Sequence, residues 1–295
     1  MEKLYSPATI RKLKEKHDFR FSKSLGQNFL TDENIVNKIA EGAEIGSEDL
    51  VIEIGPGMGV LTAAAAEMAA AVIAVEIDSH LIPILRETLS AYKNVTIVNA
   101  DIMKTDVRDL IAKAKSQSGR AFSGVKIIGN LPYYITTPIL MKILEENGHG
   151  DGFDSITVML QKEVAERINA EPGSKAYGAL SLAVQYYCTV DMVASVPKEV
   201  FMPRPKVDSA VIRLNLRKSA PVKLTSPGDF FAVIKAGFGQ RRKTLLNSLT
   251  GVCGLEKADI AEILEQVGVA PQRRAETLSL REFADIANQC TAKKE

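Results

Sequence analysis

The chain has 295 residues, 46% hydrophobic and 25% charged, the composition of a globular protein and not of a disordered, collagenous or disulfide-stapled one. No apolar stretch approaches the ~20 residues of a membrane-spanning helix, and the charged N-terminus lacks the apolar run of a secretory signal. Neither the cysteines (Cys188, Cys253, Cys290) nor the histidines (His17, His80, His149) have metal-ligand spacing, so no membrane, no metal and a cytoplasmic location are expected.

The formal net charge of +1 hides a segregation: residues 1–30 carry +4 and residues 201–250 carry +8, leaving −11 for the remainder. Such basic segments are either solvated faces or a surface for a polyanion. Residues 1–24 read as a basic, partly helical arm outside the core. Short apolar runs at 49–54, 71–76, 95–98, 125–129 and 155–160 alternate with helical patterns, which predicts a parallel sheet with helices on both faces. The runs 188–196 and 207–216 read as an antiparallel pair at the sheet edge, separated by the turn F-M-P-R-P-K (201–206). After S-A-P (219–221) the β signal stops, and helices are expected around 229–239, 242–250, 256–267 and 279–289. The expected division is therefore an α/β domain over 1–218 and a small all-α domain over 219–295.

The first strand runs into E-I-G-P-G-M-G (53–59) and an apolar helix. Gly55 and Gly57 permit a tight turn and close approach of backbone to a ligand at the helix N-terminus. The spacing is G-x-G-x-G and not the G-x-G-x-x-G of dinucleotide folds, which favours S-adenosyl-L-methionine over NAD. Glu76 ends the second strand 21 residues past Gly55, where a carboxylate can accept from both ribose hydroxyls. Asp101, ending the third strand in N-A-D-I, is either an acceptor for the cofactor's adenine amine or an ordinary strand-end acid.

The fourth strand ends in G-N-L-P-Y-Y (129–134), at the sheet edge where such folds bind ligands. The lone pair of an adenine amine is delocalised into the ring, so the amine is a poor nucleophile. The Asn130 side-chain oxygen and the Leu131 carbonyl offer two acceptors for its N–H groups, and Pro132 stiffens the turn. Tyr133 offers a face for stacking the base and for stabilising positive charge on nitrogen. Phe201 is either the second aromatic for the opposite ring face or a plug for the domain core.

Taken in order, K-S-L-G-Q-N-F-L (23–30), E-I-G-P-G-M-G, N-L-P-Y-Y-I-T-T-P (130–138), F-M-P-R-P-K-V-D-S-A (201–210), R-R-K-T-L-L-N-S-L (241–249) and R-A-E-T-L-S-L (274–280) resemble the ribosomal RNA adenine dimethyltransferases. Within them, the pattern is most similar to the bacterial 16S group linked to kasugamycin sensitivity. The resemblance spans the chain from about residue 20. It implies a Rossmann-like methyltransferase domain whose cofactor pocket includes Asn28 and Leu30, which spacing does not reach, beside Gly55, Glu76, Asp101 and Asn130. It also implies that Phe201 stacks opposite Tyr133. The implied substrate is 16S rRNA in an immature small ribosomal subunit, with two adjacent adenines near its 3′ end each receiving two methyl groups. Arg241, Arg242 and Lys243 then read as contacts to rRNA phosphates, with Leu245, Leu246 and Leu249 facing the small domain's core. The competing expectations are a macrolide-resistance type methyltransferase of large-subunit rRNA and a non-catalytic rRNA-binding assembly factor of the same fold. The C-terminal motifs favour the 16S group, and the intact loop and tetrad speak against lost chemistry. The segment 110–124 carries no interpretable motif.

Overall fold

The computed structural model describes residues 3–22, 25–119, 121–150, 152–240 and 242–294. The chain begins α1 (Pro7–Lys16), β1 (Phe29–Leu30), α2 (Glu33–Gly42), β2 (Leu50–Ile54), α3 (Val60–Met68), β3 (Ala71–Glu76), α4 (Leu81–Thr88) and β4 (Val95–Asn99). It continues α5 (Val107–Ser118), β5 (Val125–Asn130), α6 (Thr136–Asn147), β6 (Ser155–Gln161), α7 (Lys162–Ile168) and α8 (Ala179–Tyr187). Then come β7 (Cys188–Val196), β8 (Phe201–Met202), β9 (Ser209–Leu216), α9 (Pro227–Gly239), α10 (Leu245–Leu249), α11 (Lys257–Gln266) and α12 (Leu280–Lys294).

The five expected strands form a parallel array in the order β4-β3-β2-β5-β6, with Ile52 beside Ile73 and Ile127. Every residue of β2 is buried, as a strand covered on both faces requires. The expected edge pair is present as β9, antiparallel to β6, and β7 outside it. From β2 the chain steps outward to β3 and β4, then returns to β5 on the other side of β2. That reversal opens a crevice beyond the carboxyl ends of β2 and β5, where open α/β sheets bind ligands. The tight register of β5 on β2 depends on Gly129, since a Cβ there would lie 2.7 Å from the Ile54 carbonyl oxygen. The uninterpreted 110–124 segment is largely α5, capped by the Asp106 carboxylate on the Arg108 N–H at 2.8 Å.

Two expectations change. The N-terminal arm is not outside the core. Helix α1 starts at a Ser6 cap, and its Ile10 and Leu13 join Phe19, Phe29, Met58, Leu81 and Ile84 in one buried cluster. Its basic residues sit on the opposite face of an amphipathic helix, so net charge concealed an apolar stripe. The division of the chain is also discontinuous: one compact unit comprises 1–165 and 189–218, the other 166–188 and 219–295. The apolar helix α8 belongs to the second unit because Tyr186 packs on Phe230 of α9, with ring centroids 5.4 Å apart. In the same unit the buried Tyr177 hydroxyl donates to the Leu278 carbonyl at 2.9 Å, and Phe283 of α12 is fully buried.

The helix expected over 242–250 is shorter. Thr244 is its N-cap, so Arg242 and Lys243 precede it, both exposed. Leu245 and Leu249 are buried as expected, whereas Leu246 is only half-buried because α10 is a little over one turn long. Arg241 lies outside the described residues.

Candidate active site

The crevice at the switch point is built from four strand ends. The turn after β2 passes through Gly57 at φ 61°, and a Cβ there would come within 2.9 Å of the Phe29 ring, so both conformation and space demand glycine. Glu76, at the tip of β3, is buried and accepts from the Gly57 N–H at 3.2 Å and the Asp78 N–H at 2.9 Å. These donors fix the carboxylate beside the glycine turn. Burial nonetheless pushes its pKa up to about 7, against the pull of those two N–H groups.

Glu53 points into the same cleft from β2. It is 2% exposed, and its Oε2 is buried without a hydrogen-bond partner. Burial raises its pKa to about 8, with the neighbouring Thr62 hydroxyl opposing the shift and the Glu76 carboxylate adding to it. A buried acceptor with no donor costs free energy unless a ligand supplies one. The sequence contains the clue, a carboxylate inside the otherwise apolar L-V-I-E-I, although no role was read from it.

Asn130 ends β5. Its side-chain N–H donates to the Asn28 carbonyl at 2.8 Å, and the Asn28 side chain in turn donates to the Gly26 carbonyl at 3.0 Å. An amide whose nitrogen is held by a carbonyl must present its oxygen the other way, so Asn28 orients the acceptor of Asn130. Leu131 is buried, its N–H bonded to the Met159 carbonyl at 3.1 Å. The Pro132 carbonyl accepts from the Ile135 N–H and the Thr136 hydroxyl, closing the turn. Tyr133 is half-buried with its hydroxyl 2.7 Å from Ser209 Oγ on β9, and burial raises its pKa. Ser209 lies in the F-M-P-R-P-K-V-D-S-A motif but had no role assigned from sequence.

Asn28, Leu30, Gly55, Gly57, Glu76, Asn130, Leu131, Pro132 and Tyr133 thus line one cleft of about 870 Å³, counting space open to solvent. Asp101 lines an adjoining cavity with Ile102, Met103 and Tyr134, and Gly55, Ile77 and Pro132 belong to both walls. One oxygen of Asp101 accepts from the Met103 N–H at 2.9 Å, turning the chain into that cavity. Phe201 is not brought to the cleft. It is 5% exposed in a cluster with Leu30, Ile39, Met159 and Val211, where β8 pairs Phe201 opposite Leu30 of β1. That burial is what the core-plug alternative expects of this position.

The cleft suits S-adenosylmethionine on observations independent of any relative. The orphaned Glu53 oxygen fits a cationic donor, Glu76 fits a vicinal diol, and the Asp101 cavity has the apolar walls and strand-end acceptor that an adenine needs.

A parallel sheet carrying a glycine turn, a strand-tip carboxylate and an Asn-Leu-Pro-Tyr turn at its switch point defines a Rossmann-like methyltransferase. A family profile described as ribosomal RNA adenine dimethylase matches residues 18–291, and the chain belongs to that family. It is 50% identical over 288 residues to a Clostridioides difficile protein named Ribosomal RNA small subunit methyltransferase A, covering 98% of this chain and 97% of the relative. A Bacillus mycoides protein of the same name is 48% identical over 291 residues, with 98% and 97% covered. Among solved structures, a dimethyladenosine transferase from Plasmodium falciparum is 26% identical and superposes with a TM-score of 0.72, covering 87% of this chain and 95% of the other. A 23S rRNA methyltransferase shares the fold at 24% identity and a TM-score of 0.65, covering 89% and 99%. The protein is an rRNA adenine dimethyltransferase. Among the described residues, no helix is long and apolar enough to cross a membrane.

Proposed function

We propose that this protein dimethylates the exocyclic amines of two adjacent adenines near the 3′ end of 16S rRNA, acting on an immature small ribosomal subunit in the cytoplasm. The observation that carries the reading is the locked Asn130 amide, which aims an acceptor into the cleft at the switch point. S-adenosylmethionine supplies an electrophilic sulfonium methyl. Glu76 takes the ribose hydroxyls, Asp101 the adenine amine and Glu53 the ammonium of the amino-acid end, with Asn28, Leu30, Gly55 and Gly57 forming the walls. Asn130 Oδ1 and the Leu131 carbonyl accept the two N–H groups of the target adenine. Holding both in the first transfer, and the one that remains in the second, would turn the nitrogen lone pair out of conjugation, so positioning supplies most of the rate. The methylated nitrogen would lose one proton to water after each transfer. Tyr133, fixed through Ser209, presents its ring to the base, while Phe201 serves from the core by holding Leu30 in place. The second unit, with Arg241, Arg242 and Lys243, contacts rRNA phosphates and sets register without reading bases.

Labelling with tritiated S-adenosylmethionine tests the substrate. Immature small subunits, naked 16S rRNA and large subunits are compared side by side, and label confined to adenines of the small-subunit particle is expected. Label in large-subunit rRNA instead would overturn the assignment. No labelling of any of the three would leave only the binding role.

A further inference from the structure

The segment from Leu25 to Asn28 crosses the cleft and is tied down at both ends. At one end, Gln27 uses both polar atoms of its side chain. Its Oε1 accepts from the Ser22 N–H at 2.8 Å, and its Nε2 donates to Asp78 Oδ2 at 2.7 Å. Asp78 is buried, and it is joined directly to the cofactor carboxylate because its own N–H donates to Glu76 Oε1 at 2.9 Å. The second Asp78 oxygen accepts from the His80 N–H at 3.0 Å, which starts the turn into α4. At the other end, the Asn28 carbonyl holds the amide of Asn130. Between the ties, Leu25 lines both the cleft and the Asp101 cavity, and the Tyr134 ring closes over Gly26, where a Cβ would meet it at 3.2 Å.

From these ties we infer that Gln27 is a positioning residue, the latch of a strap that retains the cofactor and whose other end, at Asn28, keeps the acceptor of Asn130 in line. The inference rests on the cofactor reading above. Neither latch contact lies in the tetrad or the glycine turn, and Gln27 contributes no chemistry. Its amide is the donor to Asp78 Oδ2, while the other oxygen has the His80 N–H and ring nitrogen. Removing it therefore leaves one oxygen of a buried carboxylate without that donor beside Glu76. The strap opens, and the cofactor leaves faster. A neutral donor bonded to a carboxylate is worth about one to two decades of equilibrium constant.

The test is dissociation of radiolabelled S-adenosylhomocysteine under an unlabelled chase, with thermal melting of each variant alongside. Gln27→Glu sets two carboxylates face to face, and dissociation is expected to accelerate at least about tenfold. KM for the cofactor rises in step, whereas kcat at saturating cofactor falls far less. Combining Gln27→Glu with Asp78→Asn reverses donor and acceptor, keeps the Ser22 and His80 bonds, and is expected to return the rate to within about threefold of wild type. A folded Gln27→Glu protein that releases ligand at the wild-type rate overturns the inference, as does a double variant no slower than the single one. If Gln27→Glu does not fold, Gln27→Ala decides: release at least about threefold faster supports the latch, and an unchanged rate overturns it. Wild-type protein that binds no S-adenosylhomocysteine would instead overturn the cofactor reading itself, and the latch with it.

Discussion

With Glu53 and Glu76 on the cofactor as proposed, binding is expected to be a proton-linked event. Their carboxyls are raised to about 8 and about 7, mainly by burial. Relative to an ordinary value of 4.5, each holds a proton in the folded chain that the unfolded chain has released. The associated stability is therefore complete below the ordinary value and is lost as pH rises through 7 and then 8. The ligand-free protein is expected to melt lower near pH 8 than near pH 6. The cofactor has the opposite preference, since its ammonium and ribose hydroxyls favour ionised carboxylates. From about pH 6 to about pH 7.5, one required ionisation near 7 raises affinity roughly eightfold, and one near 8 roughly 25-fold. The two acids repel each other and titrate as a pair, so the combined rise falls between roughly tenfold and 200-fold. The window stops there because the ligand's own amino group holds its proton below about 7.7. Calorimetry with S-adenosylhomocysteine, in buffers of different ionisation enthalpy, reads the affinity and the protons released. Glu53→Gln is expected to keep only the Glu76 share, about eightfold. Affinity flat within about twofold across the window, with no proton release, would refute the placement of these carboxylates on the ligand.

The tetrad, the core aromatic and the basic segment give further expectations. Asn130→Ala is expected to lower the methyl-transfer rate by more than it lowers RNA affinity, because the acceptor acts on the reacting amine; equal losses in single-turnover and RNA-binding assays would make Asn130 a fold residue only. Tyr133→Phe keeps the ring but drops the Ser209 bond, for a loss of about 0.5–1.5 kcal/mol. Tyr133→Ala removes the stacking face as well, for about 1–3 kcal/mol in kcat/KM. Phe201→Ala is expected to destabilise the protein by about 3–5 kcal/mol in denaturant melts, with Phe201→Leu much milder. Unchanged stability with lost activity would return the Phe201 ring to the base. Changing Arg241, Arg242 and Lys243 together to Ala is expected to flatten the salt dependence of binding to pre-ribosomal particles by up to about 2–3 units of slope. Cofactor affinity in that variant should match wild type; an unchanged salt slope would make these cations surface charge.

What the sequence determined by itself was local. Apolar runs of strand length, G-x-G-x-G and N-L-P-Y each declare themselves over a few consecutive residues, because pleat period and turn chemistry depend on near neighbours. The parallel sheet, the glycine turn after β2 and the places of Glu76 and the Asn-Leu-Pro-Tyr turn at strand ends were all legible on that basis. The tertiary structure decided whatever depends on residues far apart in the chain. Asn28 orients Asn130 across 102 positions and Ser209 holds Tyr133 across 76, and no local spacing encodes either pairing. The basic arm proved to carry part of the core because a helix separates its charged and apolar faces, which net charge averages away. Residues 166–188 joined the second unit because their aromatic face needs Phe230 to cover it, a requirement visible only once both are folded. Phe201 shows the same division: its residues left a base-facing ring and a core plug both open, and only the fold shows it buried with Leu30, Ile39, Met159 and Val211 where β8 pairs with β1.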